Sequence, residues 1–183
     1  MSSPAADDPH VERLAWLFRE HPAWQAAARR VSDESTSRVL FTHRPGERWH
    51  LAREQGESRL RPGDVGDPDF VFRFTPEAIE RLAGVEGSVG AFAVELFGLI
   101  AGDDPRARVD LRIAAPFQRL VRRGYVGLLL ASGWRVVAFG ASHGVRTLGQ
   151  LRRLVERLAT RGPEPWEGEG GGDRDGGLRP SAR

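Results

Sequence analysis

The chain has 183 residues, 40% of them hydrophobic and 28% charged, with a formal net charge of only +2; this is the composition of a globular domain large enough for a real core. It contains no cysteine, lysine or asparagine, which excludes disulfides, thiolate metal sites, a cysteine nucleophile, a lysine Schiff base and a P-loop lysine. The cations are all arginine, and 25 acidic residues nearly cancel the 27 arginines, so the high pI is no nucleic-acid signal unless the arginines cluster on one face.

Residues 1–8 read as a disordered N-terminus. The stretch from Met1 to Pro9 lacks the basic start and apolar run of a secretion signal, which points to a cytoplasmic protein. Asp8-Pro9 opens a helix whose apolar side, including Val11, Leu14, Leu17, Phe18, Trp24 and Ala27, runs to about Val31. Pro22 inside it predicts a kink or a break into two helices. Ser32 to Ser37 is a polar connector. Val39–Thr42 and Trp49–Ala52 are β-prone runs around the Arg44-Pro45-Gly46-Glu47 turn, and a third strand follows at Ser58–Arg61.

The most informative segment is Pro68 to Gly84. Phe70, Phe72 and Phe74 alternate, which puts three aromatic rings on one face of a strand. Thr75 then caps a helix with Pro76 at its first position and Glu77 near the positive end of its dipole. Ile79, Leu82 and Ala83 share one face before Gly84 closes the element. A second helix, Ser88 to Ala101, carries Glu95 as its one charge. A helix apolar nearly all round is buried or lines a cavity. Val109–Ile113 alternates as a strand with one solvated face. Pro116 starts another helix, with Phe117, Leu120 and Val121 along one side, running into Gly124–Leu130.

Beyond this point Trp134–Phe139 reads as a strand, and Thr147 caps a helix to about Thr160. Arg146, Arg152, Arg153, Arg157 and Arg161 lie there opposite an apolar stripe of Leu148, Leu151, Leu154, Val155 and Leu158, as an exposed helix face would place them. Nucleic-acid binding is therefore not expected. Tyr125 to Ala141, broken by Gly133 and Arg135, is too short to span a bilayer. Residues 162–183, rich in Gly, Pro and Glu, read as a disordered tail, leaving one domain over 9–161.

Chemistry-bearing constellations are sparse. Ser88 in Glu86-Gly87-Ser88-Val89-Gly90 lacks the glycine two residues before the serine that a nucleophile elbow needs, and reads as a helix cap. His43 and His50 flank the hairpin and could approach each other, but two imidazoles make a poor metal site. Asp64, Asp67 and Asp69 do not have the spacing of a calcium loop, and turn formation explains them. No catalytic residue, metal site or cofactor is expected.

The order of elements resembles the sterol carrier protein type 2 lipid-binding fold over about residues 10–131. Val39–Thr42 and Trp49–Arg53 look like its first two strands, Gly66–Glu77 is similar to its strand-then-helix segment, and Ala107–Ile113 takes the place of its last sheet strand. The chain departs from that pattern in the longer connection Ala101–Arg106, in Ala114-Ala115-Pro116 where a glycine-rich turn is usual, and in the added region 134–160. The resemblance implies an α+β fold: a mostly antiparallel sheet of about five strands covered by helices, with an N-terminal helix and a C-terminal helical extension. It implies non-catalytic binding of a lipid, fatty-acyl or sterol-like ligand. The expected lining is Phe92, Leu96, Phe97, Ile100, Phe117, Leu120, Val121, Tyr125 and Leu128, with the Tyr125 hydroxyl available to a ligand head group. The alternative is a protein-interaction module in which the apolar helices form a homodimer or partner interface. Transient membrane contact is left open by either reading.

Overall fold

A computed structural model describes residues 8–131; the expected strand at 134–139, the helix at 147–160 and the tail at 162–183 lie outside the described residues. Helix α1 (Pro9–Glu20) begins where Asp8 accepts hydrogen bonds from the backbone N–H of His10 and Val11 at 2.9 and 3.3 Å, so Asp8 belongs to the folded domain as an N-cap. The helix stops at His21 because Pro22 has no N–H to continue the ladder, and α2 (Pro22–Ala28) restarts there.

Strands β1 (Thr36–Phe41), β2 (Trp49–Glu54) and β3 (Glu57–Pro62) follow as two hairpins. The β2–β3 turn holds Gln55 at φ 52° and Gly56 at φ 83°, the pair of left-handed residues that lets a two-residue loop match the strand twist. β1 starts three residues earlier than its apolar run because Thr36 and Ser37 pair with Ala52 and Leu51; paired backbone, rather than hydrophobicity, sets that boundary. β4 (Phe70–Phe74), α3 (Pro76–Ala83), α4 (Val89–Ala101), β5 (Val109–Ile113), α5 (Phe117–Arg122) and α6 (Tyr125–Ala131) complete the described chain.

The sheet order is β3-β2-β1-β4-β5. Three of the pairings are antiparallel, while β1 and β4 run parallel with Val39 opposite Phe72 and Phe41 opposite Phe74. The fold is thus α+β with a mixed, mostly antiparallel five-stranded sheet, and its element order is the one implied by the resemblance. Alternation gives the sheet two unlike faces. Val39, Phe41, Phe74 and Val109 are buried under the helices, and Arg38, His50, Arg59 and Arg61 occupy the other side. Val11, Leu14, Leu17 and Phe18 of α1, Ile79 and Leu82 of α3, and Phe92 and Leu99 of α4 close the main core. A smaller cluster of Ile113, Ala115 and Leu120, with Phe70, Phe117 and Tyr125 against it, attaches α5 and α6 to the β4–β5 edge.

Candidate apolar ligand site

The alternation of Phe70, Phe72 and Phe74 puts their rings in a row on the helix-covered face of β4, with centroids 5.8 and 5.7 Å apart. Tyr125 of α6 extends the row by meeting Phe70 edge-on at 4.8 Å, a favourable geometry for aromatic quadrupoles. Phe74 is buried, whereas Phe70 and Phe72 are half-buried.

Helix α4 lies over this face. Ser88 accepts a hydrogen bond from the Ala91 N–H at 3.3 Å, the capping role expected of it. Glu95 pairs with Arg81 at 2.6 Å. Of the thirteen residues of α4, Phe92 and Leu99 are the buried ones; Val89, Val94, Leu96, Phe97 and Ile100 are half-buried. A helix this apolar would bury most of its large side chains in a close-packed core. Its apolar surface is therefore incompletely covered.

Between α4 and the sheet is a small cavity of about 20 Å³ with no polar lining. Leu14, Leu17, Phe18 and Trp24 of α1 and α2 form one wall. Phe72 and Phe74 of β4, Leu82 of α3, and Phe92 and Leu96 of α4 form the rest. That volume holds about one water-sized group.

The structure divides the sequence-predicted lining set. Phe92 and Leu96 line the cavity, and Ile100 packs on the same cluster. Phe117, Leu120 and Tyr125 belong to the second cluster, bridged to the first through Phe70 and Phe72. Phe97 and Leu128 are half-buried, and Val121 is 47% exposed and lines nothing there. Sequence reasoning missed the α1–α2 wall. The Leu14, Leu17 and Phe18 spacing showed a buried face, but nothing in one amphipathic helix tells which element it will face.

Polar groups gather at the far end of the ring row. Asp69 is fully buried, and its carboxylate accepts from Arg123 Nη1 at 2.7 Å and the Tyr125 hydroxyl at 3.1 Å, with Arg119 Nε at 3.3 Å. The Tyr125 hydroxyl is therefore already engaged by the protein. Burial pushes that phenol above its ordinary range, and the Asp69 charge adds to the shift. Arg119 also holds Asp67 through two guanidinium nitrogens, and Arg38 and Arg48 hold Asp64 at 2.6 and 2.8 Å. Each of these aspartates serves an arginine. Among the described residues no group of three or more His, Asp or Glu side chains is placed to hold a metal ion. His43 and His50 do not meet: His43 bonds Asp8 at 3.0 Å and packs against His10, while His50 Nδ1 contacts the Gly63 carbonyl.

No family model matches the chain, and no curated protein matches it. Among solved structures it is similar to one titled "UbiJ-SCP2 Ubiquinone synthesis protein". That likeness has 16% identity and a TM-score of 0.41, covering 72% of this chain and 95% of that one. A second is the MycE methyltransferase from the mycinamycin biosynthetic pathway, at 14% identity and a TM-score of 0.24, covering 69% of this chain and 43% of that one. Likenesses of this size transfer neither ligand nor activity. Among the described residues, no helix is long and apolar enough to cross a membrane.

Proposed function

We propose that the chain is a non-catalytic binding module that holds an apolar molecule, of lipid, fatty-acyl or sterol-like character, between α4 and the ring row of β4. One observation carries the reading: α4 has a single charge, yet only two of its thirteen residues are buried. The driving force would be desolvation of Leu96, Phe97, Ile100 and Phe72, at roughly 25 cal/mol for each Å² of apolar surface removed from water. Pockets for drug-sized ligands measure about 300–1,000 Å³, far more than the 20 Å³ present. Binding therefore requires α4 to separate from Phe72, a movement that its partial burial makes cheap.

The rival reading is a partner interface made by α4. Half-burial favours the ligand, because a docking face would present its large side chains fully to solvent, and none of α4's large apolar residues is in that state. Titration with an environment-sensitive fluorescent fatty acid separates the two. Saturable uptake by the wild type, lost in Leu96→Trp while the circular dichroism spectrum is kept, supports the ligand. No saturable uptake of fatty-acyl or sterol probes, with a concentration-dependent mass, supports the interface.

A further inference from the structure

Most arginines of the described chain are matched by carboxylates: Arg38 and Arg48 by Asp64, Arg81 by Glu95, Arg119 and Arg123 by Asp69. The guanidinium groups of Arg29, Arg30, Arg106 and Arg122 have no hydrogen-bond, ion-pair or ring partner among the described residues. Three of these four meet at one corner. Arg29 caps the end of α2, and Arg30 follows it. The Ser32 N–H donates to the Arg123 carbonyl at 3.0 Å, and a Cβ on Gly124 would lie 2.1 Å from the Arg30 carbonyl oxygen. The end of α2 thus abuts the α5–α6 turn, and chain geometry keeps the α-carbons of Arg29, Arg30 and Arg122 within about 15 Å of one another. All three residues are exposed. On the adjoining connector Asp33 is taken by Arg53 at 3.1 Å, so three arginines stand against Glu34 alone, an excess of two positive charges. Next to Arg122 is Val121, 47% exposed and the one large hydrophobic side chain exposed among the described residues.

We propose that this corner docks the protein on an anionic membrane surface. Lipid phosphates present a diffuse negative field that attracts arginines near it and demands no fixed geometry between them. The exposed Val121 side chain then enters the boundary between headgroups and acyl chains, where its apolar surface leaves water. A nucleic acid fits the corner less well, because no aromatic side chain is exposed among the described residues to stack a base. Each arginine near an anionic leaflet is worth about a fivefold gain in partitioning, so two net charges give about 25-fold. Tyr125, at the end of the ring row, directly follows Gly124, so docking brings that end of the candidate site towards the bilayer. The inference stands without the ligand-binding reading, and its assay reads vesicles rather than ligand.

The test is co-sedimentation of the full chain with vesicles of phosphatidylcholine alone and of phosphatidylcholine mixed with phosphatidylglycerol. The wild type should favour the anionic vesicles by about 25-fold at low salt and lose that preference as salt screens the charges. Arg122→Gln should cost about fivefold, and the Arg29→Gln, Arg30→Gln pair should remove the preference. Val121→Ser should weaken binding without changing its salt sensitivity. Arg106→Gln removes the same charge elsewhere, on the connection that enters β5 at Val109, whereas α5 leaves from the Ile113 end; it should bind as the wild type does. All these side chains are exposed, so circular dichroism spectra should be unchanged. Equal binding to both kinds of vesicle, or a loss in Arg106→Gln as large as in Arg122→Gln, overturns the docking corner. Tighter binding to a single-stranded RNA oligonucleotide than to anionic vesicles, lost in the same arginine variants, overturns the membrane as the partner. Fatty-acid uptake is measured separately without vesicles, so either result leaves the ligand-binding reading to its own test.

Discussion

The Asp69→Ala substitution attacks the polar knot that ties β4 to α5 and α6. In the wild type the Asp69 carboxylate, fully buried, holds Arg123, Tyr125 and Arg119, whose guanidinium side chains are only 14–15% exposed. Removing the acid strands the near-buried Arg123 and a phenol, and takes one of two carboxylates from Arg119. Deleting one member of a buried ion pair costs about 3–5 kcal/mol. The low end applies here, because Arg119 retains Asp67, and the Ala114 and Ala115 N–H bonds to the Asp69 carbonyl survive the change. A loss of about 3 kcal/mol lowers the melting temperature of a chain this size by roughly 6–12 °C. Thermal melts followed by far-ultraviolet circular dichroism measure it. A double-mutant cycle with Arg123→Ala should show coupling, the double variant losing much less than the sum of the singles. A melting temperature within about 2 °C of wild type, or additive losses, would refute the buried-pair reasoning.

Two further outcomes follow from local geometry. Gly124, between α5 and α6, has φ 87°, and a Cβ there would lie 2.1 Å from the Arg30 carbonyl oxygen; Gly124→Ala should destabilise by more than about 2 kcal/mol in urea unfolding, combining left-handed strain with a backbone clash. The second concerns pH. For Asp8 and Asp64, burial alone would raise the carboxyl pKa, but hydrogen bonds from backbone N–H groups, with His43 at Asp8 and Arg38 and Arg48 at Asp64, outweigh it and hold both below the ordinary carboxylate value; the Arg119 hydrogen bond does the same for Asp67. Groups with depressed folded-state values stabilise fully above the unfolded value near 4 and lose that contribution as pH falls through the folded ones. The melting temperature should therefore stay nearly flat from pH 7 to about 5 and drop below about 4; a decline beginning above pH 6 would contradict it.

Much of the architecture was legible because its signals are local. The Phe70–Phe74 alternation, the Thr75-Pro76 cap and Pro22 each act through neighbouring backbone, and each marks an element boundary in the structure. Parallel pairing of β1 with β4 was not legible, since alternation fixes a strand's faces but not its partner's direction. Composition identified α4 as apolar, and Phe92 and Leu96 do line the cavity. It could not say that Val121 would point outward, because a six-residue helix such as α5 offers too short a period to separate its faces. Asp69 shows the same limit from the other side. Among Asp64, Asp67 and Asp69 it looked like one more turn residue, and its burial depends on Arg119 and Arg123, fifty or more positions away.

The claim that the space under α4 exists to hold an apolar molecule is tested most directly by native mass spectrometry of the purified chain, followed by organic extraction and identification of what is released. The account predicts a monomer carrying one equivalent of an apolar compound. A bare mass with nothing extracted, and a dimer that grows with concentration, would contradict it.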